Sequence, residues 1–280
     1  MSPSEATAAT EKTAAPRVLV VANQKGGVGK TTTAINLGTA LAAVGQKTLV
    51  IDLDPQGNAS TGLGIARADR NVTSYDVLMG SASLADAIHS TRIPGLYIVP
   101  ATVDLTGAEL ELVNESRRNF RLRDALETFN AAAPDFAYVL VDCPPALGLL
   151  TVNAMAAADA VVVPLQCEFF ALEGLSLLLK TIERVRAGLN PKLELQGIIL
   201  TMFDKRNKLS DEVASDVRSH LGEKVYQTVI PRNVRISEAP SHGLPALVYD
   251  LRCPGSQAYI KLAGELIQRE RARFLGPIAA

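Results

Sequence analysis

Residues 24–32 read Gln-Lys-Gly-Gly-Val-Gly-Lys-Thr-Thr and follow the apolar run Val18 to Val21 directly. A glycine-rich turn between a strand and a helix, ending in Gly-Lys-Thr, is built to hold phosphate. Its backbone N–H groups surround the oxygens, and the positive end of the following helix reinforces them. In such a loop Lys30 reaches the β- and γ-phosphates and the Thr31 hydroxyl holds Mg²⁺. Lys25, Gly26, Gly27, Val28, Gly29, Lys30, Thr31 and Thr32 are therefore the candidate nucleotide contacts. The strict G-x-x-x-x-G-K-[ST] pattern asks for glycine at position 24, where Gln24 stands, and a second lysine, Lys25, comes one step before the glycines.

Three further groups could join that loop. Val50-Ile-Asp52-Leu-Asp54-Pro-Gln-Gly-Asn58 ends an apolar run in two carboxylates two residues apart. One acid there could hold a water in line with a phosphoryl group while the other supports a metal's water shell; a bland alternative is a strand-end acid capping a turn. Tyr138-Val-Leu-Val-Asp142 has the form of a Walker-B strand, whose carboxylate contacts Mg²⁺, often through water. In Ile230-Pro-Arg-Asn-Val-Arg-Ile-Ser-Glu-Ala-Pro240, Pro231 could pack on a base face and Asn233 could read an adenine edge. Arg232 and Arg235 would share a face if that segment is helical; the alternative is a solvated loop with two surface arginines.

The elements that must position these residues alternate strand with helix. Strands are expected at Arg17–Ala22, Lys47–Asp52, Leu96–Val99, Ala137–Asp142, Ala160–Pro164, Leu195–Thr201 and Tyr226–Ile230. Helices are expected at Thr31–Val44, Phe169–Ala187, Ser210–Leu221 (capped by Ser210) and Pro254–Phe274. Several strands are unbroken apolar runs, as when both sheet faces are covered. The fold class is thus α/β: a single doubly wound, mostly parallel sheet with helices on both faces. Its ligands bind beyond the carboxyl ends of the strands, where the phosphate loop, Asp52, Asp54 and Asp142 all fall. Residues 67–121 carry the weakest pattern and read as short surface helices around one edge strand.

A chain of 280 residues, 48% of them hydrophobic, can bury one large core. Its 28 basic and 29 acidic side chains nearly cancel, so no global field selects a partner, although residues 201–280 carry an excess of basic groups. Cys143, Cys167 and Cys253 are isolated, which argues against a disulfide framework and for a reducing compartment. Residues 1–16 are rich in Ala, Thr, Ser and Glu and read as a disordered tail, 17–274 as the ATPase domain and 275–280 as a second tail. No apolar stretch approaches the ~20 residues that span a bilayer.

Taken together, Lys25–Thr32, Asp52–Asn58, Asp142–Pro145 and Ile230–Pro240 closely resemble the ParA/Soj chromosome-partitioning ATPases, whose deviant Walker A motif begins with the extra lysine. The resemblance runs from about Arg17 to Arg271. It implies ATP and Mg²⁺ as cofactors and a homodimer that closes face to face on ATP. In that dimer Lys25 acts across the interface, Lys30 neutralises its own phosphates, and Asp54 positions the attacking water. Thr31, Asp52 and Asp142 support the metal, and Pro231 and Asn233 contact adenine. It further implies non-specific binding of double-stranded DNA, with Arg206, Arg232 and Arg235 as candidates and Lys205 and Lys208 behind them. A ParB-type centromere-binding partner would stimulate hydrolysis, and the protein would be cytoplasmic and nucleoid-associated. Rival readings are a MinD-like membrane-associated ATPase using Gln268–Leu275, an iron–sulfur reductase using Cys143 and Cys167, and a scaffold with a relic nucleotide site.

Overall fold

The computed structural model describes residues 15–132, 135–169 and 171–275, with backbone only for 274 and 275. The expected tails therefore lie almost wholly outside the described residues. The strands are β1 (Arg17–Val21), β2 (Thr48–Asp52), β3 (His89–Ser90), β4 (Leu96–Val99), β5 (Tyr138–Asp142), β6 (Ala160–Gln166) and β7 (Glu194–Thr201). The first helices are α1 (Lys30–Ala43), α2 (Asn58–Gly62), α3 (Ser74–Met79), α4 (Leu105–Glu111), α5 (Arg121–Ala131) and α6 (Leu149–Ala157). They are followed by α7 (Ala171–Gly188), α8 (Lys208–Leu221), α9 (Val234–Glu238), α10 (Ala246–Tyr249) and α11 (Pro254–Leu275).

One sheet runs in the order β3-β4-β2-β5-β1-β6-β7, parallel except for β3. Side chains alternate across a strand, so each apolar run feeds two cores. Val18, Val20, Leu49, Ile51, Val139 and Val141 face one layer, which holds residues of α3 to α8. Leu19, Val50, Tyr138, Leu140 and Val162 face the other, under α1, α9, α10 and α11. The doubly wound expectation is met.

The register decides where the chemistry goes. Asp52 pairs with Asp142 across β2 and β5, and Asp142 pairs with Val21 across β5 and β1. Three adjacent strands thus end level with one another, with the phosphate loop rising from the middle of the sheet.

Several expectations need correction. Tyr226–Ile230 is not a strand. It runs beside β7 through isolated bridges, Ile198 to Val225 and Phe203 to Pro231. The amide of Tyr226 bonds Ile198 O and that of Ile230 bonds Leu200 O, so four residues advance against two and no ladder can form. Leu96–Val99 is not the sheet edge, because the antiparallel β3 lies outside it. Ser210 does not cap α8; Asn207 does, its side chain accepting the Leu209 amide at 3.1 Å. Arg232 precedes α9 and Arg235 lies inside it, so the two do not share a helix face.

Helix α1 lies close on the sheet at Gly38. A Cβ there would sit 3.3 Å from both Leu96 Cδ1 and Val50 Cγ2. Gly38→Val forces a branched side chain into that contact. It is expected to lower stability by about 1–3 kcal/mol, read from the denaturant midpoint at unchanged slope.

Candidate functional site

The phosphate loop owes its shape to glycine. Gly27 and Gly29 take φ of 73° and 93°, left-handed values that side chains disfavour. A Cβ on Gly26 or Gly27 would meet nothing within 4 Å, so the loop presents an open backbone surface. Below it, Asn23 accepts the Lys25 amide at 3.0 Å and donates to Pro164 O at 2.8 Å, tying the loop to β6. From β7, the Thr201 hydroxyl donates to Val28 O at 2.8 Å. Helix α1 starts at Lys30 with no acidic residue in its first turn and no side-chain cap. Its first N–H groups and dipole are thus directed at whatever the loop holds.

The charged groups converge on this loop. Lys30 is buried at 6% exposure and its Nζ donates to Lys25 O at 3.0 Å. Burial lowers its pKa, and Asp142, Cys143 and Asp54 oppose that shift. Asp52 is fully buried and clamped: Ser60 donates to it from its amide at 2.9 Å and from its hydroxyl at 2.7 Å, and the Asp54 amide adds a third bond at 3.1 Å. Burial still raises its pKa to about 6. Asp54 accepts the Gln56 amide at 3.0 Å.

Asp142 differs. It is fully buried, and neither carboxylate oxygen completes a hydrogen bond of ordinary geometry. Its pKa is pushed well above the usual carboxylate range, first by burial and next by the charge of Asp52. The nearby Thr31 hydroxyl and Lys30 pull the other way without offsetting this. A buried carboxylate left without donors is costly, and a cation is the partner that such a group suits. Among the described residues no three His, Cys, Asp or Glu side chains form a cage for a bare ion. Mg²⁺ fits that arrangement, because it keeps several waters and shares its shell with phosphate oxygens.

The extra lysine is held differently. Lys25 is exposed, and its Nζ is paired with Glu168, just past β6. A shallow hollow of about 560 Å³ lies beside it, lined by Pro145, Leu147, Glu173, Gly174 and Leu177 among others.

Over 257 residues this chain aligns at 67% identity with a chromosome partitioning protein ParA of Caulobacter vibrioides, covering 92% of this chain and 96% of that one. The chain belongs to the ParA/Soj family of chromosome-partitioning ATPases. Residues 16–195 also match the family described as an AAA domain. Among solved structures, the ParA/Soj chain is similar to a cobyrinic acid a,c-diamide synthase of Mycobacterium smegmatis with bound ADP and magnesium (TM-score 0.80, 36% identity, covering 92% of this chain and 96% of that one). It is similar too to the septum site-determining protein MinD of Pyrococcus horikoshii with Mg-ADP (TM-score 0.73, 31% identity, covering 94% and 100%). Differently named proteins share this scaffold, so the fold alone does not choose among activities; the 67% match does.

The remaining expected residues of this ParA/Soj chain spread over a second region. Pro231 and Arg232 line a cleft of about 850 Å³ together with Arg206, Lys205 and Lys261. Asn233 caps α9, its side-chain oxygen accepting the Arg235 amide at 3.0 Å, which leaves its amide nitrogen as the group that faces other partners. Arg206 is exposed and forks onto Asp204 at 3.0 and 2.9 Å, holding that carboxyl down at about 2. Arg235 pairs with Glu238 at 3.0 Å and Asp250 at 3.7 Å. The rival readings find less to use. Burial pushes the Cys143 thiol well up and that of Cys167 to about 11, the reverse of what a cluster ligand needs. In the last helix, Arg269 pairs with Glu265 and Arg273 with Glu194. Among the described residues no helix is long and apolar enough to cross a membrane. Thr201, Glu168, Ser60 and Asn23 were not anticipated. Each is a single polar residue, set in place by contacts far apart in sequence.

The buried acids fix a pH dependence. The fold holds the Asp52 proton more tightly than the unfolded chain does, so its contribution to stability is present below about pH 4 and lost as the pH rises through about 6. Asp142 is raised in the same direction. In nucleotide-free, metal-free protein, Asp142→Asn is therefore expected to raise the thermal midpoint above pH 7 and to give no gain at pH 4, where the native carboxyl is already neutral. Scanning calorimetry at the two pH values checks this.

Proposed function

We propose that this chain is the nucleotide-driven switch of a DNA-partitioning system. It binds ATP and Mg²⁺, pairs with a second copy in the ATP state, holds double-stranded DNA without sequence preference, and hydrolyses ATP to ADP and phosphate. The observation that carries this reading is the level ending of β1, β5 and β2, which gathers Lys30, Asp52, Asp54 and the unpartnered Asp142 around an open glycine loop.

Mg²⁺ would supply charge neutralisation between the phosphates and the acids, and ATP the phosphoryl group. The residues do the rest. Gly26 to Gly29 offer backbone donors, and Lys30 sits where phosphate charge would be met. Thr31, Asp52 and Asp142 form the metal side. Asp54, at the loop's mouth, orients the attacking water; phosphoryl transfer depends on such positioning more than on covalent help. Lys25 leaves Glu168 to meet the phosphates of the second copy, an exchange of one exposed ion pair, of the kind worth about 0–1 kcal/mol. Pro231 and the free amide nitrogen of Asn233 suit the adenine ring.

Arg206 and Arg232 line the basic cleft and Arg235 stands in α9, three residues on; phosphate contacts from them need no base reading. Two of the three already have carboxylate partners, so DNA would compete with Asp204, Glu238 and Asp250 for them. A ParB-type partner accelerates hydrolysis and so ends the DNA-bound state. The protein then works in the cytoplasm, on the nucleoid, as the ATPase domain of 17–274 with short tails.

Fluorescence anisotropy with a random-sequence duplex tests this. Binding is expected with ATP and not with ADP or without nucleotide, and to weaken steeply with salt. Arg235→Ala should weaken binding equally on all sequences and flatten the salt slope by about one. Asp54→Ala should keep ATP-dependent binding and lose hydrolysis. Equal binding in all nucleotide states would overturn the reading.

A further inference from the structure

Asp52 ends β2, and Asp54 opens a turn that is hydrogen-bonded within itself, Gly57 N donating to Asp54 O at 2.8 Å and Thr61 N to Gly57 O at 3.0 Å. After Asp54 the chain passes Pro55 and Gln56, turns at Gly57 and enters the five-residue α2. Behind this turn lies Arg70. Among the described residues, Arg70 and Lys30 are the only buried cations. Arg70 makes no ion pair among the described residues; its guanidinium bonds the turn and Ala101. Nη1 donates to Ala101 O at 3.0 Å, Nη2 donates to Thr61 Oγ1 at 2.8 Å and to Ile65 O at 2.9 Å, and Nε donates to Ile65 O at 3.3 Å.

Two short chains of hydrogen bonds lead from there to the acids. Thr61 donates its hydroxyl to Gly57 O at 3.1 Å, and the Gly57 amide donates to Asp54 O at 2.8 Å. Ala101, whose carbonyl Arg70 holds, donates its amide to Ser60 Oγ at 3.0 Å, and Ser60 Oγ donates to Asp52. The turn and the guanidinium are also in direct contact. Gly57 has φ of 63°, and a Cβ on it would collide with Arg70 Nη1 and come within 2.8 Å of Ala101 O. Only glycine lets the loop lie against the arginine.

A buried charge is a poor way to gain stability, since desolvation offsets much of what its bonds return. What a guanidinium adds is a rigid fork that addresses several acceptors at once, which an ammonium cannot do. We propose that Arg70 is a positioning residue for hydrolysis: it fixes residues 54–65 as one rigid turn, so that Asp54 and Asp52 keep their places opposite Lys30 and Asp142. The inference rests on the role given above to Asp54.

Steady-state ATP hydrolysis with Mg²⁺ and random-sequence DNA tests it on the full chain, with kcat expressed per nucleotide-binding site titrated with a fluorescent ATP analogue. For Arg70→Lys, which keeps the charge and loses the fork, kcat per site should fall about tenfold or more while KM and analogue affinity stay within about twofold. Thr61→Val, which breaks one link, should shift kcat the same way by less. Both variants should lengthen ATP-dependent residence on DNA, as Asp54→Ala does; a chain that was merely less stable would shorten it. Unchanged kcat per site in Arg70→Lys, or a fall matched by lost binding sites, overturns the inference. If Arg70→Lys does not fold, Thr61→Val decides: a normal kcat per site and normal residence sink the idea. If Asp54→Ala itself hydrolyses normally, the underlying reading of Asp54 fails first, and the inference fails with it.

Discussion

Three carboxylates and one ammonium are packed where β2, β5 and β1 end, and the excess of negative charge there governs the site. The strand register, not any local preference, puts Asp52 beside Asp142. Neither acid is at ease: burial raises both, and the nearby Thr31 hydroxyl relieves Asp142 only in part. Strained polar groups of this kind persist only where the surrounding structure over-determines them. Here the surroundings are a sheet whose two faces are both covered by helices, which holds the strand ends in register.

The work around the site is divided. The parts proposed to meet phosphate, Gly26 to Gly29 and the start of α1, are backbone and take their geometry from glycine and from the helix. The parts proposed to meet metal and water are side chains whose positions depend on distant polar residues. Thr201 steadies Val28 from β7, Asn23 anchors the loop to β6, and Ser60 holds Asp52 while itself bonded to Ala101. The loop is thus braced from the β6–β7 side of β1 by residues more than a hundred positions away. These ties add to the loop's own bond from Lys30 Nζ to Lys25 O in keeping one shape.

Much of this was legible in the sequence. Apolar runs bounded by glycine, proline or aspartate gave six of the seven strands to within a residue or two, because a buried parallel strand needs such a run and little else can use it. The phosphate loop was legible because its glycines and lysine leave few alternatives. Tyr226–Ile230 misled because its residues suit a strand; what it lacks is a matching advance along β7, which only the assembled sheet reveals. Arg232 and Arg235 misled for a similar reason: the spacing assumed a helix that includes Arg232, whereas α9 begins two residues after it. The supports of the acids were beyond reach. Ser60, Thr201 and Arg70 carry no motif, and their importance comes from where the chain brings them.

The two flanks of the sheet have a separate consequence. On one side the parallel strands finish in a two-residue antiparallel strip, His89–Ser90; on the other, the outer rim of β7 is crossed by residues 225–231 through scattered bridges. A rim of unpaired backbone is a template for strand addition, and here neither rim offers a run long or regular enough to recruit one. Among the described residues, copies of the chain that meet at these flanks find no long continuous backbone edge to pair with, which works against strand-to-strand association away from the nucleotide site.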